Sequence, residues 1–254
     1  MTAPAPTPVA PTHASERVVL CLKWGIQCGP EYVNRLYAMV KRHLRGPFRF
    51  VCLTDRKTGI RPEVECLPIP QALADGVPLQ GWIKLAVLSA DLHGLQGTAL
   101  FLDLDVILVE DITPFFEHPG EFLLIHDWKR PWRVTGNASV FRFQIGAHAD
   151  VLAEFQATQA QVRQRLRNEQ AFLSEVLHRQ GKLSYWPEHW CCSYKYHCIP
   201  RWPQNYWRMP EIPAGTRIVI FHGEVNPPDA LAGRRNRALR MVRPAPWVAK
   251  HWRE

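Results

Sequence analysis

The chain has 254 residues, with 31 Lys and Arg against 23 Asp and Glu, a formal net charge of +8. Apolar residues make up 46% and charged residues 21%, which excludes a wholly disordered chain. No apolar run reaches the roughly 18 residues that span a bilayer, and the length suits one α/β domain with a core of its own.

Residues 1–16 are rich in Pro, Ala and Thr. They lack the basic start and apolar centre of a secretory signal and read as a disordered leader. Val18-Val19-Leu20-Cys21-Leu22 is a continuous apolar run, the pattern of a strand buried on both faces. A loop with two glycines follows, then Pro30 opens a helix whose apolar residues (Tyr32, Val33, Leu36, Tyr37, Val40, Leu44) recur at helical spacing. Phe48 to Thr54 predicts a second strand, closed by Asp55, and Val64 to Leu67 a short third. Pro78 to Gly81 introduces another helix with Trp82, Leu85, Leu88 and Leu92 on one face, stopped at Gly94. Thr98 to Leu102 predicts a fourth strand running into Asp103-Leu104-Asp105, then Val106 to Val109. Strands alternating with helices imply a mixed, mostly parallel sheet flanked by helices, a Rossmann-like α/β fold in a single domain.

After Asp111 the rhythm changes. Glu121 to Ile125 and Ala138 to Phe143 read as strands, and His148 to Leu177 as one or two helices. Residues 184–213 are long, irregular and dense in Trp, Tyr, Pro and Cys, and loops that long are uncommon unless functional. Arg217 to His222 is a last strand. The domain then spans residues 17–230, with a nucleotide-binding half at 17–111 and an acceptor half at 112–230. Residues 231–254 carry +6 of the charge, leaving +2 for the rest, and read as a basic C-terminal tail. Such a tail suits peripheral contact with an anionic membrane, on the inner face for a cytoplasmic protein, or a solvated surface. The near-neutral body argues against nucleic acid as a partner. Seven cysteines, several in apolar runs, fit buried free thiols in a reducing compartment better than a disulfide scaffold.

The chemistry centres on Asp103-Leu104-Asp105. Residues two apart in a strand point the same way, so both carboxylates face one site at the carboxyl end of a buried strand. Two carboxylates in an apolar setting repel each other, and a divalent cation relieves that repulsion. The bland alternative is a strand that happens to end in acids. His189, Cys191, Cys192, His197 and Cys198 hold metal-binding atoms, but adjacent cysteines do not match paired Cys-x-x-Cys spacing. A loop beside an acceptor pocket, with Tyr194, Lys195, Trp202, Tyr206 and Trp207 against a sugar, fits better.

An apolar strand, Asp-x-Asp and a second apolar strand resemble the metal motif of GT-A-fold glycosyltransferases, in particular the glycogenin-like and bacterial lipopolysaccharide galactosyltransferase-like (family eight type) group. The likeness covers roughly residues 17–230 as scattered motifs. It implies that Asp103 and Asp105 hold Mn²⁺ or Mg²⁺ on the diphosphate of a nucleotide-sugar donor, with UDP favoured. Gly81-Trp82-Ile83-Lys84-Leu85 resembles the group's aromatic-x-Lys-Leu segment, which implies that Lys84 approaches the donor phosphates. Thr135-Gly136-Asn137-Ala138-Ser139-Val140 resembles its Asn-containing strand start, lining the sugar pocket at Asn137. Asn168-Glu169-Gln170-Ala171-Phe172-Leu173 resembles its acidic-Gln-x-x-Leu helix start, which places Glu169 and Gln170 beside the reacting carbon, although the group more often has Asp at the first position. Val219-Ile220-Phe221-His222-Gly223 resembles its strand-His-Gly, which implies His222 as third metal ligand and Gly223 beside a phosphate. The group often continues Lys-Pro-Trp; this chain reads Glu224-Val225-Asn226-Pro227-Pro228. Leu22-Lys23-Trp24-Gly25 is the expected first nucleotide loop, with Trp24 either stacking on the base or standing as a rim aromatic, and Asp55 either reaching base or ribose or capping the strand end. The implied activity is transfer of a hexose, with retention favoured, to a glycan or lipid-linked acceptor. Two other readings compete: a haloacid-dehalogenase-like phosphatase with Asp103 as nucleophile, and a non-enzymatic basic protein acting through its tail.

Overall fold

The computed structural model describes residues 16–71, 80–223, 225–235 and 241–254. The expected leader lies, apart from Glu16, outside the described residues. Strand β1 (Arg17–Lys23) is buried from Val18 onward. Alternation sends Val19 and Cys21 into one core and Val18, Leu20 and Leu22 into another, so the strand is apolar on both faces. Helix α1 (Pro30–His43) begins on its proline and ends on Lys41, Arg42 and His43, the charge that a helix C-terminus favours. Strands β2 (Arg49–Thr54) and β3 (Glu65–Leu67) then add outward from β1, both in parallel.

The chain returns through a 3₁₀ helix (Gln80–Leu88) to β4 (Thr98–Leu102), which pairs in parallel with the other edge of β1. After β5 (Ile107–Leu108) and the short α2 (Pro114–Glu117) come β6 (Phe122–His126) and β7 (Gly136–Gln144). β7 lies between β4 and β6 and is antiparallel to both. Helices α3 (Ala149–Arg165) and α4 (Glu169–Arg179) lead to β8 (Leu183–Tyr185), parallel to β6. The main sheet therefore has the order β3-β2-β1-β4-β7-β6-β8, and only β7 opposes the rest. The α/β class and mostly parallel sheet expected above are what the structure has.

Three features differ from the sequence reading. The segment after Gly81 is 3₁₀ and not an amphipathic α-helix, and Trp82, Ile83 and Leu85 to Leu88 are all buried rather than forming one apolar stripe. The strands expected at Val106–Val109 and Arg217–His222 do not join the main sheet. They form β5 and β10 (Ile218–Ile220), which with β9 (Cys191–Ser193) make a small second sheet. The third difference is at residues 231–254, expected as a separate tail. Their described part comprises α5's end (helix Pro227–Ala232), a two-stranded ladder of β11 (Arg234–Arg235) with β12 (Met241–Val242), and α6 (Trp247–His251). Ala245, Val248 and Trp252 are buried in the same core as α1. Trp252 packs on Tyr32 at 5.2 Å and takes the Arg35 guanidinium over its ring at 4.0 Å. Arg42 donates to the carbonyls of His251 and Arg253. This end of the chain is built into the body. No helix among the described residues is long and apolar enough to cross a membrane.

Candidate active site

The sheet order locates the site. From β1 the chain steps outward to β2 and β3, then crosses to β4 on β1's other side. The carboxyl ends of β1 and β4 therefore diverge at a switch point, where open α/β sheets form ligand crevices. A cleft of about 420 Å³ lies there, lined by Trp24, Gln27 and Cys28 after β1, Ile83 and Lys84 of the 3₁₀ helix, and Asp103, Leu104 and Asp105 after β4. The Trp24 ring is partly exposed at its rim. The Gly25 N–H donates to Asp55 Oδ2 at 3.1 Å, so Asp55 fastens this loop rather than lining the cleft.

The two aspartates reach the cleft by a turn. β4 ends at Leu102, the Asp103 N–H makes one further bond to the Ser139 carbonyl at 2.9 Å, and Leu104 and Asp105 then form a turn. Strand alternation, expected to align the carboxylates, is thus not what aligns them. The Lys84 ammonium donates to Asp103 at 2.7–2.8 Å and to the Ala138 carbonyl at 3.3 Å, and stands 3.8 Å from Glu169. Burial, and next the Asp103 charge, push the Asp105 carboxyl up to about 7, while Lys84 opposes the rise. Burial and then Asp105 and Asp103 push the nearby Cys28 thiol up to about 11.

Glu169 is buried at the first turn of α4. It lies against Gly81, where a Cβ would stand 2.5 Å from its Oε2, so a larger residue there would make the carboxylate shift. Gln170 Oε1 accepts from the Ala138 N–H at 3.2 Å, and Asn137 Oδ1 accepts from the Ser139 N–H at 2.9 Å. Both residues line a second hollow of about 430 Å³, with Trp128, Lys129, Tyr196 and His222. His222 Nε2 is 2.7 Å from Ser193 Oγ, and its ring stacks on Trp128 at 5.7 Å. Burial, then Lys195 and Lys129, lower the pKa of His222.

Among the described residues no three His, Cys, Asp or Glu side chains gather closely enough to hold a metal ion. His222, expected as a third ligand, lines the second hollow and not the cleft that the aspartates line. The Asp103–Asp105 pair itself fits a divalent cation: two oxygen donors share an apolar cleft in which one carboxyl is driven toward neutrality. Gly223 has a positive φ of 88° and open space around its Cα. In the Cys-rich loop all cysteines are free, and Cys192 and Cys198 Sγ lie 3.7 Å apart in the core.

The galactosyltransferase LgtC, solved with donor and acceptor sugar analogs, superposes with a TM-score of 0.54 at 11% identity over 83% of this chain and 88% of that one. The chain has the GT-A fold. The glycosyltransferase GlyE of Streptococcus pneumoniae TIGR4 superposes with a TM-score of 0.60 at 14% identity, and the bifunctional WbbM with 0.53 at 10%. This GT-A chain spans 56% and 48% of their respective lengths. No family model matches the sequence, and neither does any curated protein. In this GT-A chain the Asp-x-Asp turn, Lys84 and Glu169 meet at one cleft, and Asn137, Gln170 and His222 meet at the other. Motif reading missed Gln27 and Cys28, which carry no pattern, and Ser193, whose pairing with His222 spans two different strand ends.

Proposed function

We propose that the chain is a metal-dependent glycosyltransferase that moves a hexose from a nucleotide-sugar, with UDP favoured, to a hydroxyl of a glycan or lipid-linked acceptor. The observation that carries this reading is the acid pair with Lys84 at the β1/β4 crevice of a GT-A fold. Trp24 stacks on the base, and Asp55 steadies its loop through the Gly25 N–H. Asp103 and Asp105 hold Mn²⁺ or Mg²⁺, which when bound neutralises charge developing on the departing diphosphate. Lys84 is anchored between Asp103 and Glu169 and adds a fixed positive charge at the phosphates. Glu169 and Gln170 flank the transferred sugar. Because Gln170 Oε1 is taken by the Ala138 N–H, its NH₂ is left to donate to that sugar. Among the described residues Glu169 is tied to Lys84 and Asp127 to its own loop, so neither stands free as a base beside the acceptor, which favours retention over a base-driven inversion.

The haloacid-dehalogenase-like alternative needs Asp103 as a free nucleophile. Here it is ion-paired at the end of the fourth strand in the chain. The test is release of nucleoside diphosphate from UDP-sugars with and without Mn²⁺. The expected result is metal-dependent turnover in the native protein and about a thousand-fold less in the Asp105→Asn variant. Equal turnover by the two proteins would overturn the reading.

A further inference from the structure

The second hollow has a charge pattern that the donor reading does not use. Lys129 and Arg130 follow β6, and Arg167 precedes α4; all three line it. Several arginines elsewhere on the surface are answered by carboxylates, among them Arg49 by Glu65, Arg61 by Glu63, Arg165 by Glu175 and Arg179 by Glu154. Among the described residues no carboxylate pairs with Lys129, Arg130 or Arg167. The one acid in the lining, Asp127, is spent on its own loop: Oδ1 accepts from the Lys129 N–H at 2.9 Å and Oδ2 from Thr135 Oγ1 at 3.3 Å. Lys195 adds a further cation, sharing the Tyr196 ring with Lys129 at 5.7 and 5.2 Å. The first turn of α4 is already capped by Asn168, which accepts from Ala171 at 3.2 Å, so the side chains and not the helix end set the charge.

Unpaired like charges converging on a concavity repel one another, and an anion seated among them relieves the repulsion through charge-assisted hydrogen bonds. Arginine in particular presents a planar fork that matches a carboxylate or phosphate. The aromatic faces of Tyr196 and Trp128 in the same lining suit the apolar face of a sugar ring. Gln170, set beside the transferred sugar in the reading above, lines this hollow, whereas Lys84 and the acid pair line the other, so an anion seated here would lie beside the transferred sugar and away from the aspartates.

We propose that the second hollow binds an anionic acceptor, a sugar bearing a phosphate or carboxylate, gripped by Arg130, Arg167 and Lys129. This rests on the glycosyltransferase reading, yet it is tested without turnover. Glucose 6-phosphate, glucuronate and glucose are titrated into the full chain by calorimetry, alone and with UDP and Mn²⁺ present. The two anionic probes should bind at least about ten-fold more tightly than glucose, and the Arg130→Ala/Arg167→Ala variant should lose that margin. UDP affinity should be unchanged in the variant, whose altered residues are exposed and whose melting temperature should match the native. The tighter of the two anionic probes identifies phosphate or carboxylate as the group recognised. Equal binding of glucose, displacement of the anionic probes by UDP, or loss of UDP binding in the variant would each overturn the proposal. Retention of the anionic probes with no UDP binding at all would overturn the transferase reading alone.

Discussion

The two hollows solve opposite charge problems. In the donor cleft the acids outnumber the bases: Asp103, Asp105 and Glu169 surround a single lysine, and Lys84 binds two of them. In the second hollow the bases outnumber the acids, and Asp127, the one acid among its described lining residues, is committed to its own loop. On the proposals above, the first takes a cation and the second an anion. The strand start at Asn137–Ser139 separates them, since Ala138 gives its carbonyl to Lys84 and its N–H to Gln170.

The strongest way to break this contrast is at the acid pair. Asp105→Asn should lower turnover by about a thousand-fold, several kcal/mol of charge stabilisation, while leaving the fold and the anionic probe affinity intact. Steady-state rates with a saturating donor check it. Lys84→Met removes the one base in the donor cleft. It should cost about a hundred-fold in kcat/KM. It should also lower the melting temperature, because Asp103 and Glu169 then lose their shared partner. A Lys84→Met protein with native melting and native rate would show that the ion pair is incidental.

The pH dependence of cation binding sharpens the same contrast. The carboxyl of Asp105 is raised to about 7, mainly by burial. An acid raised on folding is protonated in the native state over a range in which the unfolded chain is ionised. Stability of the metal-free protein should therefore fall as pH rises from about 4 to about 7 and then level off. Below pH 7 a cation must displace that proton, so Mn²⁺ affinity should drop by up to about ten-fold per pH unit. Calorimetry at pH 6 and 8 on the native and Asp105→Asn chains tests this, with the variant expected to show a flat profile. The smallest effect is expected at the rim. Trp24→Ala should weaken UDP by several-fold to about ten-fold, the worth of one stacked base, with kcat little changed.

Much of this was legible in the sequence where the signal is local. β1, α1 and β2 announce themselves as an unbroken apolar run, a 3.6-residue stripe behind Pro30 and a second apolar run. Asp103, Lys84, Glu169 and Gln170 stood out by motif. What was not legible depends on long-range packing. A segment buried on every side, such as Trp82 to Leu88, has no stripe from which to infer its helix type. Strand runs do not state their partners, so β5 and β10 were placed in the wrong sheet. The last residues were read from their charge, whereas Ala245, Val248 and Trp252 set their place by burial. At the site, motif order put His222 with the aspartates, but Ser193 and Trp128 hold its ring in the neighbouring hollow.

The central claim is that the β1/β4 cleft binds a nucleotide-sugar through a cation held by Asp103 and Asp105. Its most direct measurement is the thermal shift of the native, Asp103→Asn and Asp105→Asn chains with UDP-sugars, with and without Mn²⁺, since a ligand that binds only the native state raises the melting temperature. The account predicts a rise for the native chain that needs both donor and cation and is absent in both variants. A flat native response to UDP-, GDP- and CMP-sugars, or an equal rise in the variants, would contradict it.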